Sequence, residues 1–240
     1  MAERFASHDP AHGDTGGTAW AGRALRPGDF DSDDGTADAE LMAALAGPAD
    51  EAELVAAVSR ARLVVPIVAM PGPQATSEMA AVTLTSRGGR RALPAFTSTQ
   101  VLVEWNGTAR PVPVSAQRAA VAAAQEGCSE LVLDPGSSWS VSLRASMVWA
   151  LAEGRSWVPP HLDGAVRRAV ERACRYEPSI EQWQTTPGPE GALVVELGLR
   201  RGLTGAALNE VVQHVGERIA EDEQARSRVD SVSFRLTAIS

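Results

Sequence analysis

The sequence predicts an α+β fold: mixed β-sheets with flanking helices, in an N-terminal domain followed by a smaller C-terminal α-β-β-α-β unit. Three observations carry this. Period-two runs such as Val82–Thr85 and Ser231–Leu236 alternate with period-3.6 runs, of which Leu208, Val211, Val212, Val215 and Ile219 form the clearest. Hairpin turns through Gly88–Gly89 and through Pro187-Gly188-Pro189-Glu190-Gly191 are mixed with strand–helix junctions, which argues against a doubly wound parallel sheet. Val158-Pro159-Pro160 reads as an internal boundary. The organisation expected is a loose acidic tail over 1–36, an N-terminal domain over 37–156 and a C-terminal unit over 161–240.

The tail is rich in Gly, Asp, Ser, Thr and Ala without apolar periodicity, which predicts disorder or loose packing; Trp20, Leu25 and Phe30 could dock it on the body or on a partner. A short helix over 38–46 stops at Gly47–Pro48, and Asp50 with Glu53 opens the next as a capping box. The β-branched run 63–70 is a strand, and Pro66 inside it lacks a ladder donor, suggesting an edge or a bulge. Val82–Thr85 and 92–96 form a hairpin that leads into the stretch organising the chain, ALPAFTSTQVLVEW over 92–105. There Thr97 is expected to cap a helix with Gln100 three positions on, and Val101, Leu102 and Trp105 share a face closed by Asn106–Gly107.

Pro111–Val114 is a brief extended piece, and Ser115 caps an Ala-rich helix over 117–126. ELVLD (130–134) is a buried strand ending in the turn sequence Asp134-Pro135-Gly136-Ser137-Ser138. Trp139, Val141 and Leu143 alternate as a second strand before a helix over 145–153. Beyond the boundary, Asp163 caps a helix, strands over 179–185 and 192–199 flank the Pro-Gly turn, a long helix starts near Thr204, and Val232, Phe234 and Leu236 mark a final half-buried strand.

The net charge of −8 sits mostly in the tail, where residues 1–40 carry −6 and the other 200 carry −2. A nearly neutral body without a basic stripe argues against nucleic acid. Every basic residue is Arg, read as GC-rich coding. Cys128 and Cys174 have no CxxC or zinc spacing and read as small buried residues. The start MAERFASHDPAHGD lacks the apolar core of a signal peptide, and no run approaches a membrane span, so the expectation is a cytoplasmic protein without a membrane role. There is no G-x-S-x-G, P-loop, H-E-x-x-H, EF-hand or dinucleotide fingerprint, and His8, His12, His161 and His214 are scattered. The sequence nominates no catalytic residue, metal or cofactor.

Two loops are candidate binding sites. At Phe96-Thr97-Ser98 a helix N-terminus could offer N–H groups to an anion, unless the capping side chain satisfies them. At Asp134, Ser137 and Trp139 the loop lies at the carboxyl end of a strand, where small-molecule sites gather; a plain tight connection is the alternative. Trp149, off the apolar stripe of its helix, and Trp157, in the linker, are candidates for packing between the halves or for a partner surface.

Pro94, Phe96, Thr97, Ser98 and, one helix later, Trp105 make the chain resemble the N-terminal domain of the SseB (enhanced serine sensitivity) family; LVLDPGSSW and the helix after it are similar to that family's second block. The resemblance implies a bacterial, accessory-like protein of unknown molecular function and carries over no catalytic residue. The leading expectation is therefore a non-catalytic module for a partner protein or a small polar metabolite. The alternatives are a small enzyme assembled from dispersed residues such as Ser98, Asp134 and His161, and a structural or assembly protein acting through an exposed sheet edge or the acidic tail, in its simplest form a homodimer through the Trp-bearing surface.

Overall fold

In the computed structural model, residues 30, 32–47, 50–71, 77–86 and 89–239 are described, and Asp34–Ser240 forms one compact unit. Trp20 and Leu25 lie outside the described residues. Helices α1 (Ala39–Ala46) and α2 (Glu51–Arg60) start on Asp38 and Asp50, whose carboxylates accept from Leu41 N and Ala52 N. A three-stranded antiparallel sheet follows, with β1 (Arg62–Pro71) between β2 (Ser77–Ala81) and β5 (Arg110–Ser115). A second sheet runs β3 (Leu84–Thr85), β4 (Arg91–Ala95), β6 (Glu130–Leu133), β7 (Val141–Leu143), with β4 and β6 parallel. An antiparallel sheet beside a mixed one fits the α+β reading.

Three expectations change here. β1 is a central strand, not an edge. Val64 exchanges both backbone hydrogen bonds with Phe96 at 2.8 Å, so even-numbered residues of β1 turn their polar groups away from β5. Pro66 falls where β1 changes neighbour from Phe96 to β2, the one place that asks for no N–H. By the same parity Pro111 and Pro113, opposite Pro66 and Val64, point their missing donors out along the free edge of β5 and protect it. β2 has no counterpart in the sequence reading, and Trp139 lies in a turn ahead of β7 rather than in a strand.

Helices α4 (Ala116–Gln125) and α5 (Ala145–Ala152) cover these sheets. Ala116, Ala119, Ala120 and Ala123 are buried, and their short side chains let α4 approach Leu93, Leu131 and Leu143 closely. A separate cluster holds Phe96, Val64, Leu102 and Ala109, with Trp105 tilted against Phe96 at 5.2 Å.

The C-terminal part follows the expected order with one short helix added. α6 (Gly164–Arg175) and α7 (Gly205–Glu221) pack on one face of the sheet β10-β9-β8, comprising β8 (Ile180–Pro187), β9 (Leu193–Leu199) and β10 (Val232–Ala238); α8 (Glu223–Arg226) is the addition. Odd residues of β9, from Leu193 to Leu199, meet Val166, Val170, Val211, Val215 and Ile219. β8 is antiparallel and β10 parallel to β9. His214 is not a solitary surface imidazole, since its Nδ1 lies 3.3 Å from Glu177, which also accepts from Arg218 at 2.7 Å.

Both cysteines are free and buried. Burial, followed by the neighbouring Glu177 carboxylate, pushes the Cys174 thiol from its ordinary 9.0 up to about 11. The unfolded chain therefore loses this proton first as pH rises, and stability should fall between pH 9 and 11, by up to roughly 2 kcal/mol. With no Lys in the chain, few other side chains titrate there. Denaturant melts at pH 8 and 11 should show this slope in the wild type and a shallower one in Cys174→Ala.

Candidate functional site

The fold brings the two predicted loops into direct contact. β4 and β6 run parallel, so their carboxyl ends emerge side by side, at Phe96-Thr97 and at Asp134. Asp134 N donates to Ala95 O at 2.9 Å, which extends the ladder by one bond. The Asp134 side chain then turns in. Its Oδ1 accepts from Thr97 N and its Oδ2 from Thr97 Oγ1, both at 2.8 Å. Asp134 and Thr97 are each 1% exposed. Asp134 adopts φ +45°, a left-handed backbone that Asp tolerates better than most residues. Pro135 and Gly136 (φ +85°) then make a type II-like turn closed by Ser137 N donating to Asp134 O at 3.0 Å.

The cap of α3 (Thr99–Trp105) is Ser98, not Thr97. Ser98 Oγ accepts from Val101 N at 3.2 Å, while Gln100 reaches forward to Glu104 instead of back to the cap. Thr97 is occupied by Asp134, so the capping role moves one residue on. The first helical N–H, of Thr99, donates to Gly35 O at 2.9 Å. Gly35 has φ +78°, and a Cβ there would meet Thr99 Oγ1 at 2.7 Å, so only glycine lets this segment close over α3. Arg62 ties the same corner, donating to the carbonyls of Thr97, at 3.0 Å, and of Thr36. Asp34–Thr36, the end of the predicted loose tail, is thus hydrogen-bonded to the domain.

The polar groups of this corner are therefore engaged with one another. Phe96 is wholly buried. Of the remaining loop residues, Ser137 Oγ accepts from Trp139 N at 3.1 Å, and Trp139 is 44% exposed. Among the described residues no hydrogen bond joins Ser98, Asp134 and His161: the first two serve α3 and Thr97, and the His161 carbonyl accepts from Thr185. Also among the described residues, no group of three or more His, Cys, Asp or Glu is placed to hold a metal ion, and no helix is long and apolar enough to cross a membrane.

The two other tryptophans separate. Trp157 is 4% exposed and its Nε1 donates to Ser146 Oγ at 3.1 Å, so it is a core residue and not a surface one. It sits in a polar node that sequence reasoning missed. Arg144, the residue before α5, provides no side-chain cap. Asp230, just ahead of β10, caps that helix from 84 residues away: Oδ1 accepts from Ser146 N and Oδ2 from Ser146 Oγ, both at 2.7 Å. Arg144 Nε donates to Asp230 at 3.1 Å and its two terminal nitrogens to Glu51 at 2.5 and 2.9 Å. The only local hint was a helix start lacking a capping residue, which tells of a partner elsewhere without naming it. Trp149, by contrast, is 46% exposed. It walls a cleft of about 270 Å³ between α4 and α5, floored by Ala120, Ala124, Val148 and Ala152 with Cys128 at its base.

Residues 38–150 match the family model described as the SseB protein N-terminal domain. No curated protein matches the chain. The matched segment contains the Thr97–Asp134 corner and Trp149, and ends before Trp157 and Asp230.

Removing the Asp134 carboxylate strands two buried donors. Asp134→Ala should cost roughly 2–4 kcal/mol and Thr97→Val, which deletes one of the two bonds, roughly 1–2 kcal/mol. Denaturant unfolding checks both, and a variant of Asp134 that melts like the wild type would show the corner to be dispensable.

Proposed function

We propose, for a chain that carries the N-terminal domain of the SseB family, that it acts as a non-catalytic module binding a partner protein, and that the partner seats on the α4–α5 face around Trp149. One observation supports this above the others. The polar side chains that a small-ligand or catalytic site would use are engaged in holding backbone, whereas a large aromatic ring stands half in solvent beside an apolar cleft. α5, with sequence ASMVWALA, has no charged residue on any side, the composition of a helix covered all round. Val121 of α4 is also exposed. A ring of this size in a small-residue cleft is the usual anchor of a protein–protein contact.

The metabolite reading has less support. At the Thr97–Asp134 corner both carboxylate oxygens already accept from Thr97, so a polar ligand would have to displace a bond that closes the fold.

Because the Trp149 ring is half exposed, Trp149→Glu should leave the folding stability, read by denaturant unfolding, within about 1 kcal/mol of the wild type. Tagged wild-type and Trp149→Glu chains recovered from the source cells and compared by quantitative mass spectrometry should differ in a defined protein set present only with the wild type. Equal recovery of the same proteins by both chains rules the α4–α5 face out as the binding surface.

A further inference from the structure

The edges of the three sheets are not treated alike. β5 points Pro111 and Pro113 outward, β3 and β7 are two and three residues long, and β8 carries an irregularity between Ile180 and Gln182 and ends on Pro187. Each of these blunts pairing with another strand. β2, at five residues, and β10 have no such device, and β10 is the longer of the two. It runs seven residues in unbroken register with β9 and contains neither Pro nor Gly.

The hydrogen bonds at its ends fix which backbone groups remain open. Leu193 N donates to Ser231 O and Ile239 N to Leu199 O, so odd-numbered residues of β10 bond inward to β9. Val232, Phe234, Leu236 and Ala238 therefore turn their N–H and C=O groups outward. Their side chains lie on the helix-covered face, since they pair with Leu193, Val195, Leu197 and Leu199. Leu236 is 39% exposed and Phe234 only partly covered. On the other face Arg235 reaches across to Glu196, which also accepts from Gln184 at 2.5 Å and Thr186 at 3.2 Å.

We propose that two copies of this chain pair antiparallel through β10, about a two-fold axis at Phe234, to make one six-stranded sheet. Charge disfavours the alternative in which all seven residues of β10 overlap. Centring the axis on Arg235 would set two guanidinium groups opposite each other at a non-hydrogen-bonded pair, where side chains come closest. Centring it on Phe234 sets Arg235 against Ser233 of the second copy and stacks Phe234 on its own copy. Val232 then meets Leu236, with the outward N–H and C=O groups of all three positions satisfied. The Arg235 charge is already balanced within its own chain by Glu196, so the edge is not self-repelling. Backbone pairing of one strand falls short of the roughly 1,200 Å² that a stable interface buries. Further area is offered by a groove of about 360 Å³ beside Leu236, lined by Leu199, Leu203 and Leu208 together with Arg200 and Arg201. This surface is isologous and lies outside both the matched N-terminal segment and the Trp149 face, so it stands independently of the binding reading above.

The test is the mass of the full chain in solution, by size-exclusion chromatography with light scattering from 1 to 100 μM. The wild type should approach the mass of two chains. Ser233 is exposed, so its variants keep the fold, which circular dichroism checks. Ser233→Arg places two like-charge pairs across the axis and should raise the dissociation constant roughly 2- to 30-fold, and Ser233→Asp, facing Arg235, should lower it by a similar factor. Trp149→Glu should leave it unchanged. A monomer at 100 μM overturns the proposal, and so does a dimer indifferent to both Ser233 substitutions or dissolved by Trp149→Glu.

Discussion

A single buried carboxylate holds the N-terminal domain in register. Asp134 reaches from the end of β6 to the end of β4 and takes both donors of Thr97. This fixes where β4 stops. Phe96, one residue earlier, can then bridge to Val64 and join the two sheets, and its ring can fill the pocket shared with Leu102 and Trp105. Ser98, one residue later, is left free to cap α3. A carboxylate in such a place is costly unless its oxygens find donors, and here each oxygen has one, both supplied by the residue whose position must be set. Loss of the carboxylate would therefore loosen a sheet junction, a helix start and a small core together.

The same device recurs at the other end of the chain. Asp230 spends its two oxygens on Ser146 and is steadied by Arg144, which in turn grips Glu51. An acid ahead of a strand thereby caps a helix of the N-terminal domain, and Trp157, hydrogen-bonded to the same Ser146, is packed beneath it. The expected linker is part of this packing, not a free tether. Both nodes use polar chemistry to fix geometry. Among the exposed apolar side chains are Trp149 of α5 and Leu236 of β10.

Much of this was legible in local sequence. The caps at Asp50, Ser115 and Asp163 are used as the residue types predict, because capping depends on a side chain reaching a backbone group two or three residues away. The Asp-Pro-Gly-Ser turn forms for the same reason. The errors share a cause as well. Thr97 looked like a cap since a helix follows it, but its hydroxyl is claimed by a residue 37 positions on. Pro66 looked like an edge residue because a missing donor is harmless there; it is equally harmless where a strand changes neighbours.

Sequence alone determined the α+β class, the order of most strands and helices and the identity of three caps, since each rests on periodicity or on contacts within a few residues. Tertiary structure decided which carboxylates are structural, which tryptophan is core and which is surface, and which strands lie at sheet edges. Those outcomes depend on pairings between residues tens of positions apart, and side-chain type carries no label for a distant partner.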